Sequence, residues 1–297
     1  MIPTIQDNSN PQASAGATAL SENKPVIAFI GAGNMAEAVI GGLYASGHPS
    51  THLRFSEPFD ARREYMESKF PQCMSTTDNN KVIDGADVVI LAVKPQVLRQ
   101  VVSDLKFTDT NVLIISIAAG IKTEHILRWL ETPQPVVRCM PNTPALIGEG
   151  AVGLYATESV NDAQRDTTVG IMSAVAKRVM WVDKEAAIDT ITAMSGSGPA
   201  YYFLFMEAMT NAGVAAGLTP EEANDLTVQT CLGAAKMAQQ SEDDLATLRK
   251  KVTSPNGTTE AALKTMEAAN IRQIIHDGVF SAERRSREIA DEMGRDQ

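Results

Sequence analysis

Four stretches of this 297-residue chain are marked by glycine or proline among small residues, and three of them run straight into a helical pattern in a way that suits anion binding. In the first, "VIAFIGAGNMAEAVIGGL" from Val26, the residues Gly31, Gly33 and Ala36 form a G-x-G-x-x-A pattern between an apolar run and a helical one. Gly31 allows the tight turn, Gly33 lets backbone approach a pyrophosphate, and Ala36 lets the helix pack closely on the strand. The helix start then offers free N–H groups and its positive dipole end to the phosphates, which reads as a dinucleotide site.

The end of the next apolar run, "RFSEPFDARRE", selects the cofactor, because the residue there meets the ribose 2′ position. Glu57 suits the free 2′-hydroxyl of NADH, whereas Arg54, Arg62 and Arg63 are near enough in sequence to meet the 2′-phosphate of NADPH. "LAVKPQ" from Leu91, with Lys94 and Pro95, and "SIAAG" from Ser116 read as further strand ends lining the cofactor cleft. The other three stretches are "PNTP" (Pro141 to Pro144), "SGSGPAYYF" (Ser195 to Phe203) and "TSPNGTT" (Thr253 to Thr259). The last two run straight into helical patterns, so each is expected to offer unbonded N–H groups to an anion such as a substrate carboxylate. Capping by Ser, Thr or Asn is the structural alternative.

The elements that must hold these residues follow from the pattern of apolar runs. "VIAFIGAG", "LRFSE", "ADVVILAVKP", "NVLIISIAAG", "PVVRCMPNTP" and "GAVGLYA" alternate with helical stretches from Pro25 onward, as in a parallel sheet with crossover helices. The last two runs allow an antiparallel extension. After "KRVMWVD" the spacing turns helical, so the domain boundary is drawn at Asp183: a tail over 1–24, a Rossmann-type α/β dinucleotide-binding domain over 25–183, and an all-α domain over 184–297. One helix is expected from Tyr201 to Ala216. A second, capped by Thr219 with Pro220 at its first position, is expected to Gln240. A last helix is expected from near Thr259, with Leu263, Met266, Ile271, Ile274, Ile275 and Val279 on one apolar face. A helical half of this kind often completes its core with a second copy, which predicts a dimer.

Composition narrows the alternatives. A net charge of −10 with no Lys/Arg run argues against nucleic-acid and membrane-surface partners. The three cysteines lack metal or disulfide spacing, and Pro49 breaks the i, i+4 alignment of His48 and His52, so no metal is expected. The longest apolar stretch, Val112 to Ile121, is too short to span a bilayer, and residues 1–24 resemble a disordered tail more than a targeting segment. A reducing, cytoplasmic setting is the expectation.

Taken in order, "FIGAGNM", "LAVKP", "RCMPNTP", "SGSGPAY" and above all "VTSPNGTTEAALKTME" resemble the pyrroline-5-carboxylate reductase family from Pro25 to the C-terminus. The resemblance implies hydride transfer from NAD(P)H to C5 of the cyclic imine 1-pyrroline-5-carboxylate, giving L-proline, with no metal. It implies cofactor contacts at Ile30, Gly31, Ala32, Gly33, Asn34, Met35, Asn79, Ala92, Val93, Lys94, Pro95 and Ala118, with Glu57 at the ribose. It also implies that the substrate carboxylate is held around Ser254, Gly257, Thr258 and Thr259, that Thr259 caps the helix and bonds the ring nitrogen, and that Glu185 lies near the substrate pocket. Intertwined homodimers, often a ring of five dimers, are implied as the assembly.

Two residues depart from the family pattern. Lys251 replaces a frequent Asn, and Glu57 replaces a small hydroxyl residue in some relatives, which weakens the usual NADPH expectation. The resulting expectation is a slight preference for NADPH over NADH. The rival readings are a β-hydroxyacid dehydrogenase, which would need a catalytic lysine in the helical half, and a non-enzymatic dinucleotide sensor, which would not need the second anion site.

Overall fold

In the computed structural model, which describes residues 24–295, an apolar strand that meets neighbours on both edges lies at the centre of the fold. This strand, β1 (Ile27–Ile30), is buried at every position and pairs in parallel with β2 (Leu53–Ser56) and β4 (Val88–Leu91). The chain continues through α1 (Asn34–Ala45), β2 (Leu53–Ser56), α2 (Asp60–Lys69), β3 (Met74–Thr76), α3 (Asn79–Ile83), β4 (Val88–Leu91), α4 (Pro95–Ser103), β5 (Leu113–Ser116), α5 (Thr123–Trp129) and β6 (Val136–Met140). It then forms β7 (Gly150–Ala156), α6 (Asp162–Ser173) and β8 (Ala176–Trp181). The eight strands have the order β3-β2-β1-β4-β5-β6-β7-β8. All pairings are parallel except β6 with β7, so the antiparallel reversal enters one strand later than the run "PVVRCMPNTP".

The order reverses between β1 and β4, which creates the crevice at the carboxyl ends of the strands where ligands of open α/β sheets bind. Apolar side chains fill both faces of the sheet. One cluster includes Phe29, Ile40, Phe55 and Met66, and the other includes Ile30, Val89, Leu98 and Ile126. Burial on both faces explains why these runs lack polar alternation. β3 and β8 escaped the apolar pattern because β3 is short and half-buried at the sheet edge, and β8 at the other edge exposes Lys177 and Arg178. Short or charged edge strands resist pairing with other chains.

Beyond β8 the described chain is helical: α7 (Ala187–Ile191), a π-helical turn (Thr192–Gly196), α8 (Gly198–Ala215), α9 (Pro220–Gln240), α10 (Leu245–Lys251), α11 (Thr258–Ala268) and α12 (Ile271–Gly294). Thr219 caps α9 in a reciprocal capping box with Glu222, next to Pro220 at the first helical position. The expected single helix from Thr259 is two. Asn270 adopts φ 57°, a left-handed conformation that Asn tolerates better than most residues, and the chain turns there between α11 and α12.

The helices expose an unusual amount of apolar surface. Tyr202, Phe203 and Leu204 on α8 and Ile274, Ile275 and Phe280 on α12 are all more than half exposed. The apolar stripe predicted for the last helix is therefore present, but much of it faces away from the protomer's own core. The tail assigned to residues 1–24 lies, apart from Lys24, outside the described residues.

Candidate active site

The turn after β1 is built for close approach of a ligand. Gly31 has φ +90°, and a Cβ there would lie 2.9 Å from Val93 Cγ1 and 3.0 Å from the Ala92 carbonyl oxygen, so a side chain would push the β1 and β4 ends apart. A Cβ added at Gly33 would meet nothing within 4 Å, and no side chain caps α1, so its first N–H groups face open space. These features fit a pyrophosphate. Backbone bonds lock the neighbouring strand ends together: Gly31 N to Ser56 O (2.9 Å), Ala92 N to Ile30 O (2.9 Å) and Ile117 N to Leu91 O (3.1 Å). The structure thus gathers Ile30 to Met35, Glu57, Ala92 to Pro95 and Ala118 along the carboxyl ends of four adjacent strands. Asn79, at the start of α3, joins them by accepting the Ser56 hydroxyl at 2.7 Å.

Glu57 is buried at the end of β2. Its Oε2 accepts the Ala32 N–H at 3.1 Å and its Oε1 accepts the Phe59 N–H at 3.1 Å. The three arginines separate. Arg54 donates to the Asp84 carbonyl at the end of α3, which removes it from the cofactor site. Arg62 spans the Ala32 carbonyl and Glu37, and Arg63 spans the Glu57 carbonyl and Asp60. Burial opposes ionisation of Glu37, but the bonds from Lys69, Arg62 and Tyr65 outweigh it and bring its pKa down to about 2. Lys94 is exposed at the start of α4, which is also free of side-chain capping and has Pro95 at its first position.

The second set of residues lies in the α10–α11 loop. Asn256 has φ 57°, Gly257 N donates to Ser254 O at 3.0 Å, and Asn256 N donates to Glu260 Oε2 at 2.9 Å. The N-cap of α11 is Gly257, not Thr259, and no side chain caps the helix. Thr259 is the second helical residue, exposed together with Thr258, so its hydroxyl is left for another partner. Glycine is accepted at an N-cap with little loss, which is why a Thr two positions on does not take that place. Lys251 pairs with Asp243.

Two expected features take a different form. "SGSGP" does not open a free helix start, because the π-helical turn delivers the chain into α8 already helical, with Ser197 N bonded to Thr192 O at 2.8 Å. "PNTP" acts as a brace: Asn142 Nδ2 donates to the Ser195 carbonyl at 3.1 Å, and Asn142 Oδ1 accepts from Ala151 N at 3.0 Å. Glu185 uses both carboxylate oxygens on Thr123, at 2.7 and 2.9 Å, and also contacts Arg138 at 3.4 Å. Sequence reasoning missed Arg138 altogether. Its only signal was a charge inside the apolar run "PVVRCM". The buried thiols of Cys73 and Cys139 are pushed up by burial, Cys73 to about 11, so neither is poised as a nucleophile.

A dinucleotide crevice with an appended helical domain that exposes apolar faces is the arrangement of a dinucleotide-dependent oxidoreductase. Two family models agree with this division: "NADP oxidoreductase coenzyme F420-dependent" matches residues 26–120, and "Pyrroline-5-carboxylate reductase dimerisation" matches residues 185–289. The chain is 49% identical to the pyrroline-5-carboxylate reductase of Pseudomonas aeruginosa over 91% of its own length and 98% of that protein, and 38% identical to that of Arabidopsis thaliana over 89% and 95%. A solved pyrroline-5-carboxylate reductase from Coxiella burnetii superposes with a TM-score of 0.85 at 41% identity, covering 90% of this chain and 99% of that one. One from Plasmodium falciparum with NADP bound superposes with a TM-score of 0.80 at 26% identity, covering 90% and 98%. The chain belongs to the pyrroline-5-carboxylate reductase family.

Proposed function

We propose that the protein reduces 1-pyrroline-5-carboxylate to L-proline with a nicotinamide dinucleotide. The observation that carries this reading is the pairing of an uncapped α1 behind Gly31 and Gly33 with an uncapped α11 behind Gly257, the latter followed by the exposed residues Thr258 and Thr259. Bound in the crevice, the reduced nicotinamide supplies a hydride to the imine carbon. Ile30, Gly31, Ala32, Gly33, Asn34 and Met35 hold the pyrophosphate side, and Asn79, Ala92, Val93, Lys94, Pro95 and Ala118 line the rest.

The N–H groups of Thr258 and Thr259, in the loop shaped by Ser254 and Gly257, hold the substrate carboxylate at the positive end of α11. The Thr259 hydroxyl bonds the ring nitrogen. It can accept from the protonated imine and remain bonded to the product amine, which suits a nitrogen whose protonation changes in the reaction. Protonation makes the carbon a better hydride acceptor, and the residues otherwise contribute orientation.

Glu57 bears on the choice of cofactor. The family favours NADPH, which gives a slight lean to that cofactor here, and Arg62 and Arg63 stand beside Glu57, but both are engaged by carboxylates and the buried Glu57 charge repels a 2′-phosphate. We therefore propose that both cofactors serve and that Glu57 limits the NADPH advantage. The exposed apolar surface of α8 and α12 supports a homodimer, and a ring of five such dimers is the proposed assembly. The domains are drawn at 25–183 and 184–297, and the location as cytoplasmic.

The β-hydroxyacid dehydrogenase reading lacks its lysine: Lys264 pairs with Glu260 on an exposed face, and Lys236 is exposed on α9. The deciding experiment follows NADPH and NADH oxidation with the imine, and then NAD(P)⁺ reduction with 3-hydroxy acids. Turnover with the imine alone is expected. Turnover with hydroxy acids alone, or with neither substrate, refutes the proposal.

A further inference from the structure

The loop that leaves β5 for the cofactor crevice, Ile117 to Lys122, is gripped from outside its own domain. Its far end is Thr123, whose N–H and hydroxyl both donate to Glu185, one to each carboxylate oxygen, at 2.7 and 2.9 Å. Glu185 precedes α7 in the helical half. Behind it stands Arg138 of β6, 2% exposed, which reaches Glu185 at 3.4 Å and Asp189 at 3.0 Å. Asp189 is itself buried and accepts the Ser286 hydroxyl of α12 at 2.9 Å. A second grip comes from α12 directly. Gly120 has φ +72°, and a Cβ there would lie 2.4 Å from Ile289 Cγ2, so the loop backbone rests on that helix. Lys122 reaches Asp291 of the same helix at 3.3 Å.

We infer that Glu185, backed by Arg138 and Asp189, is a positioning residue that sets the β5–α5 loop for the cofactor, and that it is not a substrate ligand. The inference rests on the proposed reading of that loop as part of the nicotinamide crevice. A carboxylate whose two oxygens already accept from Thr123 and which also faces a buried guanidinium has its charge matched inside the protein. The geometry that results is directional: Thr123 fixes the loop's end and Gly120 fixes its middle. Ala118, between the strand end and Gly120, is thereby held in the crevice, where a small displacement costs binding and rate. Arg138 carries one positive charge between two carboxylates, so its loss would leave Glu185 and Asp189 facing each other without a counter-charge, whereas loss of Glu185 leaves the buried Arg138–Asp189 pair in place.

The test uses the full-length enzyme and four proteins: wild type, Glu185→Gln, Thr123→Val and Thr123→Ser. Dissociation constants for NADPH and NADH are measured by fluorescence titration without substrate, the imine KM at saturating cofactor, and Tm as a check on folding. Glu185→Gln and Thr123→Val are each expected to weaken nucleotide binding about tenfold, the loss of roughly one charge-assisted hydrogen bond. Thr123→Ser keeps the hydroxyl and is expected to bind as wild type does. The imine KM is expected to change less than about twofold, as for residues that do not touch substrate. A raised imine KM with an unchanged nucleotide constant in Glu185→Gln overturns the inference in favour of a substrate ligand. Unchanged nucleotide constants in both Glu185→Gln and Thr123→Val also overturn it. Thr123→Val leaves the charged trio intact, so it decides the matter if Glu185→Gln does not fold. Failure of the wild type to bind either nucleotide removes the reading on which the inference rests.

Discussion

The N–H of Ala32, in the middle of the glycine-rich turn, donates to Glu57 Oε2 at 3.1 Å, so the carboxylate at the end of β2 is fastened to the phosphate-binding turn itself. Glu57 thus holds the turn's shape, and on the proposed reading it also places a negative charge beside the ribose. Replacing it with Ser is expected to raise the ratio of kcat/KM for NADPH to that for NADH roughly tenfold, the scale of one charge removed from a short-range repulsion. Steady-state rates with each cofactor give the ratio, and an unchanged value would show that Glu57 does not read the 2′ position.

Thr259 lies past the cap of α11, so its hydroxyl is not needed to start the helix. Thr259→Ala is therefore expected to leave Tm nearly unchanged while lowering kcat for the imine about 10- to 100-fold, the scale of one hydrogen bond to a charged group. Nucleotide affinity is expected to stay at the wild-type value. Full kcat in the variant would remove Thr259 from the chemistry.

Glu37 sits among Arg62, Lys69 and Tyr65 on the rim of the crevice, and its pKa of about 2 lies below the usual 4.5. A depressed carboxylate pKa contributes stability that is fully present above the unfolded value and is lost as pH falls through the folded one. Acid unfolding of the wild type is therefore expected to steepen between pH 4.5 and about 2 relative to Glu37→Gln. Denaturant titrations across that window, with parallel curves for the two proteins, would count against this role.

Ile275 is 59% exposed on α12, and Leu204 is 66% exposed on α8. Placing a carboxylate at either position, Ile275→Glu or Leu204→Glu, is expected to break the proposed dimer, because a charge buried against apolar surface costs several kcal/mol. Sedimentation velocity should report a smaller species with reduced activity. A variant that stays dimeric at nanomolar concentration would put the association surface elsewhere.

Much of this arrangement was legible because it depends on local rules. The G-x-G-x-x-A turn, the buried runs of β1, β4 and β5, and Pro220 behind Thr219 each announce their structure within a few residues. What was not legible depends on contacts far apart in sequence. Glu185 meets Thr123 across 62 positions, and Asp189 meets Ser286 across 97, distances over which no spacing rule operates. The break at Asn270 was hidden because the apolar spacing continues through it, and the cap of α11, which lies at Gly257 and not at Thr259, was hidden because Thr offers a capping hydroxyl and a Gly two positions earlier gives a weaker signal. The splitting of the arginines was hidden for a similar reason: Arg54 turns to α3 on one face of the sheet, and Arg62 and Arg63 lie on α2, which packs on the other.

The longest helix has a consequence for how this chain can vary. α12 runs 24 residues, roughly 36 Å at 1.5 Å per residue, with Ile274, Ile275 and Phe280 turned to the outside near its start. Its far half turns Ser286 onto Asp189 of α7, and Ile289 and Asp291 onto Gly120 and Lys122 of the nucleotide domain. Inserting or deleting one residue between these halves would rotate one face against the other by about 100°. Either the partner surface or the cofactor loop would lose its support, so substitutions on α12 are tolerable in ways that a change in its length is not.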